Sequence, residues 1–313
     1  MREQSLLDYV YQSNPALPGR VAIPPGDDMG AVRIGRELVL VTVDQVADGV
    51  HVDLASAGLA RTGRKAITRN LSDVAAMAAK PAGAVAAVCL PRDFGDERAK
   101  ALFDAMRETA EAFDCPLVGG DISMWAGRLI ATVTIFADPA GVEPVQRKGA
   151  QVGDSIYVTG ELGGSLEDVA GCVHHLEFTP RIDLARKLAS EAHTRPSCMI
   201  DLSDGIARDL PRICKASGVA AEIDSRLLPI SPAGRQASER TGQPAWRHAV
   251  GDGEDYELLM TAPPGALPPE VDGVAITEIG RIVAAEAGGE RVTLRLTGGE
   301  TADLRELGWE HGT

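Results

Sequence analysis

Short apolar runs alternate along the chain with longer, Ala-rich stretches, and these two patterns predict a mixed α/β protein. Residues 38–43 (LVLVTV) are continuous and rich in β-branched side chains, as in a buried strand. Residues 54–79 carry Leu54, Ala57, Gly58, Arg61, Ala66, Leu71, Val74 and Ala78 in a helix-compatible, Ala-rich context, with Pro81 as the stop. AVAAVCL (84–90) predicts a strand and 96–113 an amphipathic helix. CPLVGGD (115–121) predicts a short strand ending in a glycine turn, and RLIATVTIFA (128–137) another strand. The stretch 138–154, DPAGVEPVQRKGAQVGD, is rich in Pro, Gly and charge and marks a domain boundary. A second set follows, with strands SIYVT (155–159), SCMID (197–201), VAAEI (219–223) and YELLMT (256–261). Helices are expected over 181–193 and from near Asp204, where Pro211 predicts a kink or a restart capped by Asp209. The expectation is an α/β (α+β) chain of two domains, 1–140 and 150–313.

Composition narrows the function. Hydrophobic residues are 44% of the 313, but aromatics only 4%, so Ala, Val, Leu and Ile must fill the cores. The net charge of −14 argues against nucleic acid and anionic membranes as partners. It also opposes phosphate binding unless carboxylate-held divalent cations reverse the local field. The five cysteines, Cys89, Cys115, Cys172, Cys198 and Cys214, are scattered without metal-ligand spacing, which fits a reducing compartment. The first residues, MREQSLLDYV, lack the apolar run of a signal peptide, and no segment has the length of a membrane span. A cytoplasmic location is expected.

The chemistry is concentrated in acids at strand ends and glycine turns. Asp27 and Asp28 adjoin in PPGDDMG; Asp44 follows LVLVTV with Thr42 two residues before it; Asp73 interrupts an apolar helical run. Asp121 follows Gly119-Gly120, whose amides can approach a phosphate. Asp201, Ser203 and Asp204 stand in MIDLSDGIARDL, where Ser203 or Asp204 is expected to cap the next helix. Glu254 and Asp255 lie in GDGEDYELLM. Each alone has an ordinary reading as a turn, a cap or a solvated acid. Together they form a set of hard oxygen ligands without His or Cys, which selects Mg²⁺ or Ca²⁺. Mg²⁺ typically bridges one or two carboxylates to substrate phosphates. No P-loop, no GxGxxG after a strand, and no HRD, DFG, GxSxG or HExxH element is present. A phosphoryl-transfer enzyme would therefore need another architecture, and a non-catalytic cation-binding protein is the competing class.

GDDMGAV, VTVDQVADGVH, NLSDVAAMAAKP, GGDIS, RKGAQVGDSIYVTG, IDLSDGIARDL, GEDYELL and IGRI occur in this order. The series resembles the thiamine-monophosphate kinase family, of the superfamily that includes aminoimidazole ribonucleotide synthetase. The resemblance implies a two-domain aminoimidazole ribonucleotide synthetase-like fold. It further implies an N-terminal mixed sheet forming a barrel across a homodimer, and a C-terminal α/β sandwich. ATP and acceptor would share a cleft between the domains, partly at the dimer interface. The implied reaction is direct Mg²⁺-dependent transfer from ATP to thiamine monophosphate, without a phosphoenzyme. By position, Asp28, Asp44, Asp73, Asp121, Asp201 and Asp204 match magnesium-binding acids, and Thr42 and the backbone of Val43 match further metal contacts. Gly120, Asp121, Arg147 and Ser203 match nucleotide contacts; His51, Glu254 and Trp309 match contacts to the thiamine portion. Asp73, Asp121, Arg147 and Asp204 are the implied catalytic set. The chain departs from the family at Asp252, which replaces a glycine, at its closing GWEHG, and in a shortened stretch between Gly164 and Pro180. All three bear on the acceptor side, so the alternative is a superfamily enzyme acting on another small phosphorylated or carboxylated acceptor.

Overall fold

The computed structural model describes Leu6, Tyr9 and residues 17–286, 292–304 and 307–308. The first half contains β1 (Val21–Ile23), β2 (Gly30–Ile34), β3 (Glu37–Ala47), α1 (Leu54–Ala76), β4 (Lys80–Pro91), α2 (Asp96–Ala112), β5 (Leu117–Trp125) and β6 (Ile130–Asp138). Its strands form one sheet in the order β1-β2-β3-β6-β4-β5, antiparallel except for the β4–β5 pair. The sheet is open, with β1 and β5 at its edges, so no barrel closes among the described residues. Along β3 the period of two sets Leu40, Thr42, Asp44 and Val46 on one face, with Val43 exposed on the other. Two polar positions thereby share a face with two core positions.

The second half contains β7 (Ser155–Thr159), β8 (Asp168–Val169), β9 (Cys172–Val173), α3 (His174–Glu177), α4 (Ile182–Ser190), β10 (Cys198–Asp201) and α5 (Ile206–Ser217). It continues through β11 (Val219–Asp224), α6 (Pro232–Thr241), α7 (Ala245–Gly251), β12 (Leu258–Ala262), β13 (Glu270–Val271), β14 (Val274–Ala284), β15 (Val292–Arg295) and β16 (Thr301–Asp303). The large sheet runs β10-β12-β7-β14-β11-β15-β16, with β13 attached to β14. β7 and β12 are buried at every position, on both faces of the sheet.

α1 links the halves. From Thr62 to Ala76 almost every side chain is buried, as in a helix enclosed on all sides. One core runs from Ala84, Val133 and Ile135 of the first sheet, through Ile67, Leu71 and Val74, to Met199, Leu258 and Met260 of the second. A second core lies beyond that sheet, under α5. Gly63 permits the close approach of α2, since a Cβ there would lie 2.8 Å from the Leu102 carbonyl oxygen. No described helix is long and apolar enough to cross a membrane.

Three local expectations are corrected. Gly119 and Gly120 do not end a strand; β5 passes through them to Trp125, in parallel register with Val85 and Ala86. A Cβ on Gly120 would lie 1.9 Å from the Ala86 carbonyl oxygen, so the glycine serves close strand approach rather than a turn. Pro211 neither breaks nor restarts α5, whose face of Ile206, Leu210, Ile213 and Cys214 is buried. That burial offsets the one backbone hydrogen bond proline forfeits. Finally, the residue preceding α5 is Gly205, at φ 91°, and no described side chain caps the helix.

Candidate active site

Three acids converge between the two sheets. Asp28 stands just before β2, Asp73 in the last turn of α1, and Asp201 at the end of β10. One carboxylate oxygen from each lies within 4.8 Å of the others. Arg147 Nη2 donates to Asp28 Oδ1 at 2.7 Å, Ser72 Oγ donates to Asp201 Oδ2 at 2.7 Å, and Thr42 Oγ1 donates to Asp73 Oδ2. Burial, with repulsion from neighbouring carboxylates, raises Asp73 well above the usual carboxylate range. The same causes, burial first and then Asp28, push Asp201 up to about 7. Asp27 is pushed up to about 6 by burial and by Asp28. Asp28 Oδ2 is buried without a hydrogen-bond partner among the described residues. Convergent all-oxygen donors, a buried oxygen lacking a partner and repulsion that a positive charge would relieve fit a hard divalent cation.

Arginines bracket this cluster. Arg69 Nε donates to Asp44 Oδ2 at 2.8 Å and its Nη1 to the Gln45 carbonyl at 2.7 Å. Arg212 bridges Asp204 and Asp209, and Asp209 Oδ2 accepts from the Asp204 amide at 3.0 Å. Arg147 leaves its Nε without a partner among the described residues while its own amide donates to Asp27 Oδ1 at 3.2 Å. All three arginines, with Lys215, line a cavity of about 1060 Å³ whose floor is the acid cluster. Fixed donors beside a cation site suit an anionic, phosphate-bearing ligand.

Val50, His51, Leu166, Asp252, Glu254 and Tyr256 form another part of the cavity wall. The Glu254 and Tyr256 amides donate to the Ser203 and Leu202 carbonyls, both at 2.8 Å, which stitches the 252–256 turn to the loop after β10. Glu254 and Tyr256 sit at φ 55° and 50°, conformations that side-chain-bearing residues adopt only under surrounding constraint. Tyr256 stacks on Phe178, with ring centroids 4.0 Å apart. His51 Nδ1 accepts from the Ala47 amide at 3.1 Å.

Most residues singled out from sequence therefore share one cavity: Asp28, Thr42, Val43, Asp44, His51, Asp73, Arg147, Asp201, Ser203, Asp204 and Glu254. Gly120 and Asp121 are not among its lining residues; they lie on the exposed edge strand β5. Trp309 lies outside the described residues.

A family model, AIR synthase related protein, N-terminal domain, matches residues 26–137. A thiamine-monophosphate kinase of Rhodopirellula baltica is 36% identical over 292 residues, spanning 90% of this chain and 89% of its own. The thiamine-monophosphate kinase of Escherichia coli K12 is 35% identical over 86% of this chain and 88% of its own. The chain belongs to the thiamine-monophosphate kinase family. A solved structure described as AaThiL complexed with AMPPCP and TMP superposes with a TM-score of 0.83 at 29% identity, covering 99% of this chain and 97% of that one. The fold is accordingly the mixed α/β, two-domain architecture of that family.

Apart from Arg147, the basic partners around this site were not among the residues singled out from sequence. Lys65 and Arg69 precede Asp73 at intervals of four on α1, and so share one face of the helix. That spacing was a usable signal. His175 and Arg212 carried none, because a basic residue on a short helix is ordinarily solvated.

Proposed function

We infer that the protein transfers the γ-phosphoryl group of ATP to thiamine monophosphate, giving thiamine diphosphate and ADP. The observation that carries this reading is the single cavity that joins an arginine-flanked carboxylate triad to the wall of His51, Glu254 and Tyr256. Mg²⁺ held by Asp28, Asp73 and Asp201 would neutralise phosphate oxygens and align the γ-phosphoryl group. Thr42, the backbone of Val43, Asp44 and Asp204 line the same cavity and are assigned as further contacts of that end. Arg147, with Ser203 beside it in the cavity, binds the nucleotide phosphates. The acceptor's phosphate monoester is largely ionised at neutral pH, because its second pKa is about 6. It needs orientation rather than a general base, so the chain's task is placement and the transfer passes through no phosphoenzyme. Glu254 accepts from the acceptor's aminopyrimidine edge, and His51 helps to place it.

We further propose that the chain divides into domains at 1–140 and 150–313, the second an α/β sandwich, and that it works in the cytoplasm. Val118, Ile122, Met124 and Trp125 are exposed along β5, which supports pairing of two copies there into a homodimer whose sheets close a barrel. Gly120 and Asp121 would reach a nucleotide site only across that pairing. The functional test is direct: purified protein with ATP, Mg²⁺ and thiamine monophosphate should form thiamine diphosphate, and a chelator should abolish it. No product with Mg²⁺ present would overturn the reading.

A further inference from the structure

Lys65 stands behind the acceptor wall, fully buried and absent from the cavity lining. Its Nζ donates to Glu254 Oε1 at 2.9 Å, to Glu254 Oε2 at 2.8 Å and to the His51 carbonyl at 2.8 Å, and it meets His175 Nδ1 at 2.5 Å. His175 Nδ1 in turn lies 2.8 Å from Glu254 Oε2. A buried ammonium costs several kcal/mol unless its partners satisfy it, so nothing about packing alone calls for lysine here. An apolar side chain would fill the space at lower cost. What lysine adds is a point that ties Glu254 to the main chain of His51.

We propose that Lys65 is the positioning residue of the acceptor half of the site, holding Glu254 ionised and oriented with His51 for an aminopyrimidine amino group. The proposal rests on the functional reading above and names how its acceptor pocket is built. Glu254 lines the cavity with a side-chain exposure of 21%, while Lys65 meets both of its carboxylate oxygens and His175 meets Oε2. Burial opposes charge on Glu254, yet the His175 hydrogen bond and the Lys65 ammonium bring it down to about 2. Burial lowers Lys65 to about 8 against the pull of Glu254. The titratable and charged groups facing Lys65 are Glu254, His175, Arg69 and Asp44. Lys65 is thus charged at neutral pH and loses its proton as pH rises through about 8.

Steady-state kinetics of Lys65→Met, which keeps the length and removes the charge, test this. The KM for thiamine monophosphate should rise about tenfold or more, the size of one lost charged hydrogen bond. The KM for ATP and kcat should change little. Lys65→Met combined with Glu254→Gln should be no worse for the acceptor than Glu254→Gln alone, because Lys65 acts through that carboxylate. In the unaltered enzyme the acceptor KM should climb above about pH 8 while the ATP KM stays level, and Lys65→Met should lose this limb. If Lys65→Met does not fold, the pH profile of the unaltered enzyme decides. An unchanged acceptor KM, an equal loss for ATP, additive losses in the double variant or a flat profile through pH 8 would each overturn the inference. Failure of the unaltered enzyme to make thiamine diphosphate would instead remove the functional reading, and this inference with it.

Discussion

Replacing Asp201 by Asn should stabilise the metal-free protein while destroying its response to Mg²⁺. Asp201 is 4% exposed and shares its space with Asp28 and Asp73. Its carboxyl is pushed from 3.8 up to about 7, chiefly by burial and then by Asp28. At about 1.4 kcal/mol per pH unit, keeping it ionised in the folded state costs on the order of 4 kcal/mol. The sign follows from which state holds the proton. Between pH 3.8 and about 7 the folded protein retains a proton that the unfolded chain has released, so stability is greatest below 3.8 and falls as pH rises through about 7. Asn removes this cost and can still accept the Ser72 hydrogen bond through its amide oxygen. Thermal unfolding in EDTA at pH 8 should place Asp201→Asn about 5–10 °C above the parent. At pH 5 the gap should shrink to less than half, and at pH 3.5 it should vanish. Added Mg²⁺ at a hundredfold excess over its Kd should raise the parent by about 3 kcal/mol and leave Asp201→Asn nearly unmoved. An Asn variant less stable than the parent in EDTA at pH 8, or one that gains equally from Mg²⁺, would refute the reasoning.

Arg147→Met removes the donor to Asp28 together with the nitrogen that has no other described partner. It should raise the KM for ATP about 30- to 100-fold in steady-state kinetics, the value of a charge-assisted phosphate contact. Thr42→Val deletes the hydroxyl that lowers Asp73, so that carboxyl should rise further and hold its proton to higher pH. Mg²⁺ titration by calorimetry at pH 7 should then show an affinity about tenfold weaker, and the acid limb of activity should move to higher pH. Gly120→Ala places a Cβ 1.9 Å from the Ala86 carbonyl oxygen, so β5 must shift away from β4. A loss of about 2–4 kcal/mol is expected from the denaturant midpoint, and an unchanged midpoint would show that the two strands are not so closely apposed.

What could be read from the sequence depended on how cleanly burial maps onto side-chain type. SIYVT was legible because β7 is buried along its whole length and is filled with the β-prone Ile156, Tyr157, Val158 and Thr159. α1 was legible through its burial too, and its interrupting Asp73 stood out against that background. β14 was not, although it has eleven residues and occupies the middle of the large sheet. Its buried positions are Ile276, Ile279 and Ile282, and with a register shift between Glu278 and Gly280 no alternation of two marks the strand. The glycines of β5 were misread because a glycine that admits a neighbouring strand and one that turns the chain look alike in sequence. Within the site, acids at strand ends announced themselves. Lys65 and Arg69 were marked only by their spacing of four before Asp73, and Arg212 not at all, since its meaning lies in which carboxylates it meets across the fold.

The convergence of the three acids follows from the placement of α1 more than from any local motif. Asp73 and its neighbour Ser72 occupy consecutive positions at the end of a helix enclosed by both halves of the chain. One side chain belongs to the triad, and the other holds Asp201 of the second half by a 2.7 Å hydrogen bond. Leu71 and Val74 flank this pair and are fully buried. At about 1.5–3 kcal/mol each, their burial is of the same order as the cost of ionising Asp201 in place. Apolar packing can therefore hold repelling carboxylates together before any cation arrives. A divalent ion bound there would relieve an existing repulsion rather than create the fold, so removing a triad carboxylate should raise metal-free stability while it lowers Mg²⁺ affinity. Substitutions at Leu71 or Val74 should weaken both at once.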